Sequence, residues 1–166
     1  LLFNLEHPNL VKLVGLSIGD DAQLSLVMEL VPGGSLAALL ADSSRKLSWA
    51  ARLAVLRDAA LGLAYLHEHG VIHRDIKSST LLVDDELGGA AGGGLRVKVA
   101  DFGFATAKQE NATMPRCGTP AWTAPEVLLP PQPPASGGDE EQHEAALLEK
   151  ADVYSFGAVM WEVLTR

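Results

Sequence analysis

The chain has 166 residues, 48% of them hydrophobic and 20% charged, with a formal net charge of −8. That is enough chain for one ordinary domain with a core, and the acidic balance argues against nucleic acid as a partner, which calls for a basic face. The single cysteine, Cys117, has no partner for an internal disulfide, which fits a reducing compartment. No uncharged apolar run approaches the roughly 18 residues of a membrane span, so no membrane segment is expected in this chain. No basic-then-apolar leader opens it. It starts at Leu1 and stops at Arg166 in mid-pattern, and it reads as a piece of a longer protein.

Leu1 to Glu6 reads as the tail of a helix. His7-Pro8-Asn9 ends it, because proline disfavours helical geometry in the residue before it. Leu10 to Leu16 and Leu24 to Leu30 are apolar runs of strand length around a Gly19-Asp20-Asp21 turn, which predicts an antiparallel pair. After Pro32-Gly33-Gly34, Ser35 is placed to cap a short helix from Leu36 to Ala41. Ser48 is placed to cap a longer one from Trp49 to His69, with a stripe of Trp49, Leu53, Leu56, Ala60, Leu63 and His67 as its core face and Gly70 closing it. Val71-Ile72 is a very short strand. Leu81 to Val83 and Arg96 to Ala100 read as paired strands around a connection with five glycines, long for a hairpin. Gly88 to Gly94 reads as an insertion, not a phosphate cradle, since a cradle opens a helix. Residues 130–146, rich in Pro, Gly and acid, read as a disordered insertion. Asp152 to Leu164 is apolar almost all round, the pattern of a buried helix.

Two loops carry the chemistry. His73-Arg74-Asp75 with Lys77 precedes the last pair of strands, and Asp101-Phe102-Gly103 follows it. Two carboxylates and an ammonium on adjacent loops suit a nucleotide phosphate and a divalent metal. One carboxylate takes the proton of the attacking group, the second holds the cation, and the ammonium neutralises moving phosphoryl charge.

Further motifs follow in order: Gly118-Thr119-Pro120-Ala121-Trp122, then Ala124-Pro125-Glu126, then Asp152-Val153-Tyr154-Ser155-Phe156-Gly157. With His7-Pro8-Asn9-Leu10-Val11 and Met28-Glu29-Leu30-Val31 ahead of them, the chain resembles a eukaryotic protein kinase catalytic domain across its whole length. Lys77 and the Gly-Thr-Pro-Ala-Trp segment resemble the serine/threonine type of the tyrosine-kinase-like group. The resemblance implies an α+β, kinase-like fold: a mostly helical C-lobe over 32–166, and over 1–31 a partial N-lobe antiparallel sheet with the hinge. It implies ATP and Mg2+, protein substrates with Ser or Thr acceptors, an upstream activating kinase, and a cytoplasmic location or the cytosolic face of a membrane.

By position, the resemblance makes Asp75, Lys77 and Thr119 catalytic. Met28, Glu29, Val31 and Leu82 would meet adenine, with Met28 as gatekeeper, and Asp101 would hold magnesium on the ATP phosphates. Leu2, Leu13, Phe102 and His73 align with the family's stacked regulatory residues. Arg74 would dock a regulatory phosphate, with Thr113 the first candidate site and Thr106 the second. Thr80 stands where the family has an Asn that binds a second metal, and its hydroxyl is a shorter, weaker ligand. Thr80 and the lack of a glycine-rich loop keep open a second reading: a pseudokinase or scaffold that binds partners. Because the glycine-rich loop, strand lysine and helix glutamate would lie before Leu1, these 166 residues alone are expected to be inactive. Four features carry ordinary readings: His73 as a packed structural residue, Cys117 as a plain thiol, 139–144 as a solvated acidic loop, and Trp122 and Trp161 as packing residues.

Overall fold

The computed structural model describes residues 4–19, 22–84, 95–107, 118–129 and 140–166, with 140–148 described in backbone only. Leu2, Thr113, Cys117, residues 88–94 and the 130–139 part of the expected insertion lie outside the described residues.

Chain order runs β1 (Leu13–Ile18), β2 (Leu24–Met28), α1 (Leu36–Ala41), α2 (Trp49–Glu68), β3 (Val71–Ile72), β4 (Leu81–Asp84), β5 (Arg96–Val99), β6 (Thr106–Ala107), α3 (Pro125–Leu128) and α4 (Glu140–Thr165). The described strands pair antiparallel as β1–β2, β3–β6 and β4–β5. In β4–β5, Leu81 faces Val99 and Val83 faces Val97. Period-two alternation then puts Leu81, Val83, Val97 and Val99 on one buried face. The two loops of interest leave opposite ends of this hairpin's sequence but the same end of its ladder.

Side-chain caps start α1 and α2 where the sequence places them. Ser35 and Ser48 each accept from a backbone N–H in the first turn, at Ala38 and Ala51. Gly70, at φ 67°, follows the end of α2 in the left-handed region open to glycine. The core face of α2 differs from the expected stripe. Val55, Leu56, Asp58, Ala59, Gly62, Leu63 and Leu66 are buried, whereas Trp49 and Leu53 are 66% and 59% exposed. The face is set by close approach at Gly62: a Cβ there would lie 2.5 Å from the Asn9 carbonyl oxygen and 2.9 Å from Val99 Cγ2. Close contact with the Asn9 backbone and with the Val99 side chain of β5 therefore decides which side of α2 turns inward.

Polar groups on this face complete the edge of β5. Buried Asp58 accepts from the Val97 N–H, and the Asn9 amide donates to the Val97 carbonyl. Asn9 also trades backbone bonds around Val99, with Val99 N–H donating to the Asn9 carbonyl and Val11 N–H to that of Val99. The β1–β2 pair is thereby attached to the α2–β5 core.

Two expectations for α4 need correction. It begins at Glu140, so 140–146, expected within a disordered insertion, is helical. It is also not buried all round. Asp152, Ser155, Val159 and Val163 face the core, while Val153, Tyr154 and Trp161 are exposed. Of the two tryptophans expected to pack, Trp122 does so and Trp161 is 68% exposed. The three-to-four-residue spacing of the buried set shows one inward face. Among the described residues no helix is long and apolar enough to cross a membrane.

Gly62→Ala gains about 1 kcal/mol of helix propensity in an open helix. Here overpacking against Asn9 and Val99, at about 1–3 kcal/mol, outweighs that gain. The variant is expected to unfold at lower urea concentration than the wild type; a midpoint at or above wild type would show that the contact at Gly62 is loose.

Candidate active site

The site is built on a carboxylate that does no chemistry itself. Asp152, 1% exposed on α4, accepts from the backbone N–H groups of His73 and Arg74, both at 2.8 Å, and from His67 Nε2 at 2.9 Å. Arg74 has φ 70°, a left-handed conformation that costs a non-glycine residue about 1–2 kcal/mol. The Asp152 bonds hold the loop in that shape. They orient the two N–H groups of residues 73 and 74 and so aim Asp75.

His73 stitches this loop to the next. It is fully buried, and its Nε2 lies 2.9 Å from the Ala100 carbonyl. A carbonyl only accepts, so Nε2 carries the proton. Nδ1 then accepts from the Asp75 N–H at 3.3 Å. Both nitrogens are engaged in the neutral ring. Burial, the largest influence, pushes His73 below its ordinary value of 6.5, against the upward pull of the Ala100 carbonyl and the nearby carboxylates. A neutral imidazole with both nitrogens occupied is a strut, not a general base. Its ring lies 5.7 Å from that of Phe102, centroid to centroid.

The three residues expected to be catalytic meet in a triangle. Lys77 Nζ donates to Asp75 Oδ2 at 2.6 Å and to Thr119 Oγ1 at 2.8 Å, while Thr119 Oγ1 donates to Asp75 Oδ1 at 2.7 Å. Asp75 is buried and Lys77 partly so. Asp101 lies one residue past the Ala100 carbonyl that His73 holds. It too is left-handed, φ 62°, and is exposed. Its Oδ1 receives the Gly103 N–H at 3.4 Å, a long contact that leaves the carboxylate's lone pairs available to a cation. Asp75 is thus held by hydrogen bonds, and Asp101 is presented.

Thr80 is placed differently from a metal ligand. It is 2% exposed. Its hydroxyl lies 3.0 Å from the Asp75 carbonyl and 3.1 Å from that of Lys77, and it accepts from the Lys77 N–H at 3.2 Å. These bonds brace the backbone between Asp75 and Lys77. Among the described residues no three His, Cys, Asp or Glu side chains gather as a metal cage. The donor set fits a magnesium ion that takes one carboxylate from the protein and further oxygens from bound phosphates and water.

Of the residues expected at adenine, Val31 and Leu82 pack in one apolar cluster with Val11 and Ala100. Met28 ends β2 and is 44% exposed. The Glu29 side chain holds Lys98 through both carboxylate oxygens, at 2.7 and 2.8 Å, and receives the Lys12 N–H at 2.7 Å. Burial pulls Glu29 upward, but these bonds, chiefly that from Lys98, hold it below 4.5. Sequence reasoning missed Lys98, although a lysine between two buried valines in the strand leading to Asp101 was a usable signal. A cavity of about 320 Å³ is lined by Glu29, Lys98, Lys12 and the segment around His7 and Pro8, and by none of Asp75, Lys77 and Thr119. Its charged residues are already matched, Glu6 with Lys12 and Glu29 with Lys98. Thr106 sits in β6 opposite Ile72. Thr113 lies outside the described residues, and of the stacked regulatory set the structure brings His73 and Phe102 together.

A family model described as protein kinase domain matches residues 1–166. The chain is 40% identical over 168 residues to "Probable serine/threonine-protein kinase drkA" of Dictyostelium discoideum, covering 100% of this chain and 23% of that protein. It is also 40% identical to drkB and 41% identical to drkD of the same organism, each again named a probable serine/threonine-protein kinase, over 21% and 11% of their lengths. The chain therefore spans less than a quarter of these curated relatives.

Asp152→Ala leaves two backbone N–H groups without their acceptor, at about 1–3 kcal/mol each. A stability loss of about 3 kcal/mol is expected in urea titration, with hydrogen-exchange protection lost at His73 and Arg74; retained protection there would remove Asp152 as the anchor. His73 supplies a pH test. Its folded-state value is depressed, so the unfolded chain binds the proton first as pH falls. The stability it contributes is complete above about 6.5 and is lost as pH falls toward the lower folded value, at up to about 1.4 kcal/mol per pH unit. Wild type is expected to lose more stability than His73→Gln between about pH 7 and about pH 5. Equal losses would show that His73 is not buried neutral.

Proposed function

The chain belongs to the protein kinase family, and from that premise we propose that it supplies the catalytic loops of a serine/threonine kinase, which moves the γ-phosphoryl of ATP to Ser or Thr hydroxyls of protein substrates. The observation that carries this reading is the triangle of Asp75, Lys77 and Thr119, with Asp101 displayed on the neighbouring loop.

Each group then has one task. Asp75 accepts the proton of the acceptor hydroxyl as the new O–P bond forms and the bond to the ADP leaving oxygen breaks. Thr119 and Lys77 each hold one of its carboxylate oxygens, so the carboxylate faces the acceptor in one orientation. Lys77 also supplies positive charge where phosphoryl charge spreads in the transition state. Asp101 is the residue that would hold magnesium, which when bound neutralises phosphate charge. Thr80 serves the same loop as a backbone brace. The Val11, Val31, Leu82 and Ala100 cluster offers an apolar floor for adenine, and the backbone of Glu29 and Val31 its polar edge. Met28, at the end of β2, is the gatekeeper in this reading.

Arg74 next to Asp75 supports switching by a phosphate added by an upstream kinase, with Thr113 and Thr106 as the acceptor sites. The need for ATP and protein acceptors supports action in the cytoplasm or at the cytosolic face of a membrane.

In the full-length protein, Asp75→Asn is expected to lower labelled phosphate incorporation from ATP into a mixed Ser/Thr peptide library by about 100-fold or more, at a thermal midpoint close to wild type. Incorporation that persists in the Asn variant would remove Asp75 from the proposed role.

A further inference from the structure

We propose that the site takes its nucleotide with a single divalent cation, and that Thr80 is the residue that keeps a second one out. This rests on the kinase reading above and sets the metal count within it. Protein kinases hold a second magnesium through a catalytic-loop Asn at this position. Thr80 replaces that Asn, and its bonds show which part of the amide's work it keeps.

The hydroxyl is committed to the loop. Thr80 is 2% exposed. The Lys77 carbonyl already accepts the Thr80 N–H at 3.1 Å, so the hydroxyl proton goes to the Asp75 carbonyl, 3.0 Å away. The same hydroxyl oxygen accepts the Lys77 N–H at 3.2 Å. An amide divides such work between two atoms: its NH₂ donates to a carbonyl while its oxygen stays open to a cation. Threonine takes over the donor's share. What remains is one lone pair on a neutral oxygen, one bond closer to the backbone than an amide oxygen. Magnesium demands near-ideal octahedral geometry and gives up water reluctantly. A buried hydroxyl turned toward its own loop offers it no compensation for that loss.

No neighbouring group replaces the missing ligand. Asp75 has one carboxylate oxygen on Thr119 and the other on Lys77. Asp101 is the displayed carboxylate, exposed beside these loops, and it suits one ion shared with phosphate oxygens and water. Among the described residues no third His, Cys, Asp or Glu joins them in a cage. The disagreement with a two-metal site is therefore confined to position 80: the loop around it is intact, and one side-chain oxygen is lacking.

The count is read directly with Mn2+, a paramagnetic ion that takes the same oxygen ligands as Mg2+. The full-length protein is titrated with MnCl2 in the presence of a saturating non-hydrolysable ATP analogue. Electron paramagnetic resonance gives bound Mn2+ per bound nucleotide. Wild type and Thr80→Ser, which keeps the hydroxyl, are expected to hold one Mn2+ per nucleotide, and Thr80→Asn two. Turnover supplies a second readout. Once all ATP is present as its magnesium complex, the wild-type rate is expected to stay level as free Mg2+ is raised, whereas the Thr80→Asn rate shifts with it. Two Mn2+ per nucleotide in wild type would overturn the inference, and a count of one in Thr80→Asn would remove Thr80 as the residue responsible. If Thr80→Asn does not fold, the wild-type count decides: one supports the single-cation site and two overturns it. Failure of the unmodified protein to bind the nucleotide with any cation would instead overturn the kinase reading and this inference with it, which keeps the two failures apart.

Discussion

A buried carboxylate holding two successive backbone N–H groups is the constraint on which the site depends. Asp152 lies on α4, and the loop it holds follows β3. Burying such a group without partners would be costly. With two N–H donors and the His67 ring around it, both of its oxygens are engaged and the loop gains one geometry. The left-handed Arg74 shows what this achieves. A conformation that an L-residue avoids is held in place, and the chain turns sharply enough to present Asp75 three residues after a buried strand.

From that anchor the site extends by bonds between backbone and side chain more than by packing. His73 ties the first loop to Ala100, and Asp101 follows immediately. Thr80 braces the stretch between Asp75 and Lys77 and returns through its own carbonyl to the Ala100 N–H. Thr119 closes the triangle from a third segment. Each link fixes a group to within hydrogen-bond tolerance, and positioning is where phosphoryl-transfer catalysis draws most of its rate. The β4–β5 hairpin provides the rigid base, with Leu81, Val83, Val97 and Val99 buried beneath the loops. Asp58 and Asn9 complete the polar edge of β5 from α2 and the His7-Pro8-Asn9 turn.

Thr80 shows how one residue can fit the scaffold and depart from the chemistry. An Asn in its place offers a carbonyl oxygen to a metal, while the Thr hydroxyl is occupied by backbone. The loop therefore keeps its shape without a second side-chain metal ligand at this position. Asp101 remains the displayed carboxylate, matching a magnesium ion coordinated mainly by nucleotide oxygens.

The sequence by itself determined the caps of α1 and α2 and the strands other than β6, and it named the candidate site residues. Ser35, Ser48 and Gly70 act through local geometry, and alternation in β4 and β5 is a local pattern. The ordered motifs at Asp75, Asp101, Thr119 and Asp152 marked the chemistry without any coordinates. Other features were decided only by tertiary structure. Which face of α2 turns inward depends on how closely Asn9 and Val99 approach Gly62, so the Trp49 and Leu53 stripe misled. The exposed side of α4 follows from where its partners lie, which a uniformly apolar run does not encode. The tautomer of His73, the engagement of Thr80 with backbone, and the Glu29–Lys98 and Ser78–Glu162–Trp122 links all join residues distant in sequence. Local propensity acts over a few neighbouring residues, whereas these contacts exist only after the core has brought the loops together.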